Sequence, residues 1–196
     1  MQTSRNYFLS AALRTVAAIT LIAGTAGILS STALGQAQNR SWTAAGSSGT
    51  VDDDSTAISR FNSFAVSLNP GATGTVRIRY NITGVDGMNS FCPATASTVK
   101  VRFRNNDNSG ATAKVSFDIK FTNILSGGST VLYHFDSNAK GLGNAFTTFT
   151  DLAAPIDFDF SQNVYWIDAT IIRNNAAQFA DLGSLQIWEN AGTACP

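Results

Sequence analysis

This chain is poor in nearly everything that marks catalytic or metal chemistry. Its 196 residues hold one histidine, two cysteines, two methionines and four prolines, and only 13% are charged. One histidine and two widely spaced cysteines do not supply the four-ligand pattern of a structural zinc site. A serine hydrolase would need His134 as its base, yet no Gly-x-Ser-x-Gly elbow occurs in residues 38–196, so His134, between Tyr133 and Phe135, reads as structural. Phosphate loop, dinucleotide fingerprint and metalloprotease helix are all missing. The expectation is a protein with no cofactor and no enzyme activity. Neither charge sign dominates, with 13 basic against 13 acidic residues, which argues against a nucleic-acid partner.

Long apolar runs are scarce too. Residues 16–29 form a run of 14, short of the roughly 20 needed to span a bilayer. With Arg5 and Arg14 ahead of it and the small residues 30–37 behind it, the run reads as a secretory signal, residues 1–37, cut after Gly35 or Ala37. The protein is then secreted, extracellular or periplasmic, with no membrane span in the mature chain. Loss of Arg5 and Arg14 takes the formal charge from zero to −2. An oxidising compartment makes a disulfide between Cys92 and Cys195, the only cysteines, the expected state.

What the sequence does have is alternation. The mature part is rich in Thr, Ser, Asn, Gly and Phe, a mixture that suits short strands and polar turns better than helices. Residues 38–57 have only Trp42 and Val51 as large apolar anchors and read as a flexible polar arm. From residue 58 the period is two. Phe64, Val66 and Leu68 form one row, and Val76, Ile78, Tyr80 and Ile82 alternate with Arg77, Arg79, Asn81 and Thr83. Val99, Val101 and Phe103 alternate with Lys100, Arg102 and Arg104, and the pattern continues through residues 113–122. Ser126, Gly127, Gly128 and Ser129 close a hairpin, and later strands fall at residues 145–150, 156–160, 163–173 and 182–189. About nine strands in residues 58–196 predict an all-β, two-sheet antiparallel sandwich, jelly-roll or immunoglobulin-like.

Three groups of side chains invite a functional reading. Residues 77–120 carry a local charge of +4 and the chain after Lys120 a local −5, so neighbouring early strands would present a cationic face. Trp166, Asp168 and Thr170 share one side of their strand, as do Gln186, Trp188 and Asn190 on the last. An outward tryptophan beside hydrogen-bonding groups is the chemistry of a sugar-stacking platform. Asp157 with Asp159, and the run Asp52, Asp53 and Asp54, are paired carboxylates that a glycosidase or a calcium ion would use. The preferred expectation is surface recognition of polysaccharide or cell-envelope material through Trp166, Asp168, Trp188, Arg77, Arg79, Arg102 and Arg104. The alternative is a self-assembling coat or fibre subunit that joins basic to acidic regions of successive copies. A secreted glycoside hydrolase stands third.

Overall fold

A computed structural model describes residues 40–84, 94–107, 109–138, 140 and 143–191. The chain divides into two units, Met1–Gln36 and Ala37–Pro196, and the first, with the predicted signal, lies outside the described residues. So do Cys92 and Cys195.

The second unit is a β-sandwich. Its strands are β1 (Arg40–Ala45), β2 (Thr50–Val51), β3 (Ser59–Phe61), β4 (Val66–Leu68), β5 (Gly74–Ile82), β6 (Ala94–Asn105), β7 (Ala113–Asn123), β8 (Ser129–Asp136), β9 (Thr147–Ala153), β10 (Asn163–Arg173) and β11 (Ala180–Ala191). One sheet has six strands in the order β3-β4-β11-β6-β9, with β1 also paired to β11; the other has five, β2-β5-β10-β7-β8. All the pairings are antiparallel. The long strands obey the period of two: Val76, Ile78, Tyr80 and Ile82 are buried, as are Val115, Phe117, Ile119, Tyr165, Ile167, Ala169 and Ile171 from the same sheet. Val99, Val101, Phe103, Leu182, Leu185 and Ile187 face them from the six-stranded sheet and join one core. Inside it Phe135 stacks on Phe117 at 5.0 Å and meets Phe103 edge-on at 5.4 Å. Because one core fills the space between the sheets, their polar rows point away from each other on opposite sides of the molecule.

Among the described residues nine strands fall in 58–196, as expected, and β1 and β2 precede them. Three expectations change. The segment expected to be a flexible arm is ordered instead: β1 pairs with β11 over six residues, and Trp42 is buried at 7% exposure. Gly46 then lies so close to the backbone of Leu182 that a Cβ would sit 2.0 Å from its carbonyl oxygen, so only glycine allows the approach. The Gly46 carbonyl accepts a 2.7 Å hydrogen bond from the buried Tyr80 hydroxyl. Phe64 departs from the Val66 and Leu68 row: Asn62 Oδ1 accepts the amides of Phe64 and Ala65, and the turn leaves Phe64 40% exposed. Residues 156–160 keep their alternation, Ile156 and Phe158 buried, but belong to no strand; the Tyr165 hydroxyl holds them, accepting the Asp159 amide at 2.8 Å and donating to the Asp157 carbonyl at 3.2 Å. The predicted hairpin is present, with Gly127 at φ 69° between β7 and β8.

Candidate functional site

The seven residues singled out for recognition do not meet. Arg77, Arg79, Trp166 and Asp168 stand on β5 and β10 of the five-stranded sheet, whereas Arg102, Arg104 and Trp188 stand on β6 and β11 of the six-stranded one. The single cationic face expected from neighbouring early strands is likewise absent: β6 lies in a different sheet from β5 and β7, and β10 separates those two. Two distinct outer faces result.

On the five-stranded sheet, charges are locked to one another. Thr50, Arg79, Asp168, Asp118 and His134 oppose one another in register across five strands. Two carboxylates directly opposite each other would repel, and flanking groups offset this. Lys120 Nζ lies 3.1 Å from Asp168 and 3.4 Å from Asp118. Arg79 Nε donates to Asp168 at 2.9 Å, and His134 Nδ1 lies 2.6 Å from Asp118. Burial pushes the Asp168 carboxyl up, but hydrogen bonds from Arg79 and Lys120 outweigh it and hold the group below its ordinary value. Desolvation similarly pulls the Lys120 ammonium down while Asp168 and Asp118 more than restore it, so its pKa is raised. The Arg79 guanidinium covers the Trp166 ring at 5.6 Å. A depression of about 240 Å³ here is lined by Arg77, Arg79 and Lys120 against Asp52, Asp118 and Asp168, three charges of each sign.

On the six-stranded sheet, cations lie on aromatic rings. Lys100 Nζ sits 4.8 Å above the Trp188 ring, diagonally across the β6–β11 ladder. The exposed Arg102 guanidinium lies 5.7 Å from Phe64 and 5.8 Å from Phe146, whose rings meet edge-on at 5.2 Å. Among the described residues neither Lys100 nor Arg102 has a carboxylate partner. Arg104 differs: it ion-pairs with Asp181 and lies 4.3 Å from the Phe179 ring. Thr150 and Gln186 flank Lys100 on the neighbouring strands, and Gln186 Nε2 donates to Thr43 Oγ1 at 3.3 Å. Thr148 and Ser184 flank Arg102 in the same way. The Nε1 of Trp188, like that of Trp166 on the other face, is buried and has no acceptor, an uncompensated donor of the kind that folded proteins keep rare. Phe64 and Phe146 were missed in the sequence because a turn, and not a strand, aims Phe64, and the residue that brings the pair together, Arg102, is far from both along the chain.

The carboxylate candidates are occupied otherwise. Asp159 Oδ1 accepts the Ser161 amide at 3.0 Å and its hydroxyl at 2.5 Å, closing a turn, while Asp157 is exposed. Asp52 precedes the single helical turn Asp53–Thr56, and all three acids of that run are exposed. Among the described residues no group of three His, Cys, Asp or Glu side chains converges as a metal ion requires. His134 is exposed, with Asp118 as its partner.

No family model matches this chain, and no curated protein is significantly similar to it in sequence. Among solved structures it is similar to a xylan-binding module, CBM15 (TM-score 0.43, 13% identity, covering 79% of this chain and 99% of that one). It is equally similar to the CBM36-1 domain of a multidomain xylanase from the hindgut metagenome of Trinervitermes trinervoides (0.43, 14%, 78% and 99%). A weaker likeness is to a structure of infectious bursal disease virus (0.35, 15%, 79% and 34%). At TM-scores below 0.5 these likenesses carry no argument about function.

Proposed function

We propose that this chain is an exported, non-enzymatic recognition module that binds polysaccharide on the outer face of its six-stranded sheet. The observation that supports this is the Lys100–Trp188 pair. Lys100 covers an aromatic platform, yet no carboxylate among the described residues fixes it there. Swinging the ammonium aside costs about 0.5–1 kcal/mol of exposed cation–π attraction. It uncovers a ring face for stacking on sugar C–H groups and opens a path to the unpaired indole N–H. Thr150, Gln186, Thr43, Ser184 and Thr148 supply hydroxyl and amide groups around it, and Lys100 with Arg102 favours chains that carry anionic substituents.

Trp166 lacks this freedom, because Arg79 above it is anchored to Asp168. The proposal therefore keeps Trp188 and Arg102 from the sequence-based set, adds Lys100, Phe64 and Phe146, leaves Trp166, Asp168 and Arg79 as a structural network, and sets aside Arg77 and the Asp181-bound Arg104. The self-assembly alternative has fewer charges at its disposal: Arg79 and Lys120 with Asp168, Lys114 with Asp136, and Arg104 with Asp181 join the basic early and acidic late halves within one chain. Affinity electrophoresis in gels containing neutral or uronate-bearing polysaccharide tests the reading. Retardation in at least one gel, abolished in Trp188→Ala and kept in Trp166→Ala, is expected. Absence of retardation in every gel, or equal loss in both variants, overturns it.

A further inference from the structure

A row of charge unlike either face crosses the six-stranded sheet near the residue 69–72 turn. Arg60, Ser67, Asp181 and Arg104 oppose one another in register on β3, β4, β11 and β6. Beside the row a pocket of about 250 Å³ is lined by Arg60, Arg104, Arg173, Ser67, Phe179 and Asp181. Its three guanidiniums face a single carboxylate, which Arg104 already holds. Arg60 is exposed and makes no ion pair or side-chain hydrogen bond among the described residues. Arg173 is the more telling group, being only 5% exposed with no carboxylate partner. Its Nε and Nη2 donate to the Ala72 carbonyl, at 2.8 and 2.6 Å, and Nη2 also reaches the Asn69 carbonyl. Those bonds anchor the turn through Nε and Nη2. A buried guanidinium is costly without a counter-charge, and no carboxylate among the described residues lies within ion-pair distance of this one.

We propose that this pocket is an oxyanion site that takes a sulfate or phosphate group, held between Arg60 and the buried Arg173 with the Ser67 hydroxyl as a further donor. Guanidinium forks match such oxygens geometrically. The volume lies just below the roughly 300–1,000 Å³ of ordinary small-molecule sites, room for the anion and a small attached group but not for a long chain. This site does not depend on the polysaccharide reading, since it uses neither Trp188 nor Lys100.

Heteronuclear NMR titration of the exported domain with sodium sulfate, sodium phosphate and galactose 6-sulfate, against sodium chloride at matched ionic strength, tests it. Saturable shifts around residues 60, 67 and 173 are expected with the oxyanions and not with chloride. Arg60→Gln, an exposed change that leaves the fold intact, should weaken binding at least fivefold, whereas Arg77→Gln on the opposite face and Trp188→Ala should leave it within twofold. Tighter binding of the sugar ester than of inorganic sulfate identifies a substituent on a larger ligand; equal binding identifies the free anion, and either outcome supports the site. Shifts no greater than those with chloride, or an Arg60→Gln variant that binds as the parent does, overturn it.

Discussion

The two outer faces use similar residues to opposite ends. Each places a tryptophan beneath a cation that reaches it diagonally across a strand pair: Arg79 over Trp166 at 5.6 Å on the five-stranded sheet, Lys100 over Trp188 at 4.8 Å on the six-stranded one. The difference is the third partner. Asp168 ties Arg79 down and is itself shared with Lys120, whereas among the described residues no carboxylate reaches Lys100. A locked cation makes its tryptophan part of a surface network, and the unlocked one is what the proposed binding reading rests on. The same two residue types thus support a structural reading on one face and a binding reading on the other, decided by where one aspartate falls.

The largest expected effect separates the faces by how each is pinned. β6 begins at Ala94 and β11 ends at Ala191, so in sequence Cys92 precedes the one and Cys195 follows the other, both outside the described residues. A bridge there closes a loop of about 100 residues and contributes roughly 4–5 kcal/mol in the chain-entropy model. Cys92→Ser with Cys195→Ser should lower the denaturant midpoint accordingly, and an unchanged midpoint, or free thiols in protein made in an oxidising compartment, would show that the bridge is absent.

Next comes binding. Trp188→Ala is expected to cost tenfold or more in polysaccharide affinity, about 1.4 kcal/mol or above, and Trp166→Ala less than twofold, as read by calorimetry. A reversed ranking would exchange the roles of the faces.

A more direct way to erase the contrast is Asp168→Ala, which frees Arg79 and leaves Lys120 only its longer contact with Asp118. The five-stranded face should then gain weak, salt-sensitive attraction to an anionic polymer that fades by about 0.5 M salt, as screening predicts. The exposed pairs it loses are worth about 1 kcal/mol or less. A variant with no new salt-dependent retention would show that Asp168 is not what neutralises this face.

The smallest effect is a pH dependence, in which the locked side acts beside Asp107 of the β6–β7 loop, whose carboxyl the Ser109 and Thr112 hydrogen bonds hold well below its ordinary value. Asp168 and Asp136 both ionise more readily in the fold than at their ordinary value of 3.8, each because its cationic and hydrogen-bond partners outweigh desolvation. Their contribution is therefore complete above that value and is lost as pH falls through their lower native values. Thermal unfolding followed from pH 6 to pH 2 should show acid lability that shrinks in Asp168→Asn. An equal acid slope in parent and variant would place the lability elsewhere. Lys120 works in the other direction: its stabilisation is complete below 10.5 and is lost only as pH rises through its raised native value.

Much of this was legible along the chain. The alternation of Val76 to Ile82, of Val99 to Phe103 and of Tyr165 to Ile171 needs no tertiary information, because a strand with one buried face shows its period locally. β1 was not legible: Trp42 is a lone large residue in a Ser, Gly and Ala-rich segment, and what orders it is β11, nearly 150 residues away in sequence. Ile156, Phe158 and Phe160 gave a strand pattern where no ladder exists, since burial against Tyr165 selects the same alternation without a hydrogen-bonded neighbour. Phe64 was placed in the core by its spacing, and Asn62 turned it out.

The sequence by itself determined that this is an all-β sandwich and which side chains point out of its sheets, because alternation and turn chemistry are local properties. Only the tertiary structure decided which outward side chains share a face. Strand order divides Arg79 and Arg102 between two sheets and sets Asp168 between β5 and β7, and no period along the chain encodes strand order. It comes from non-local pairings whose free energy depends on the whole core.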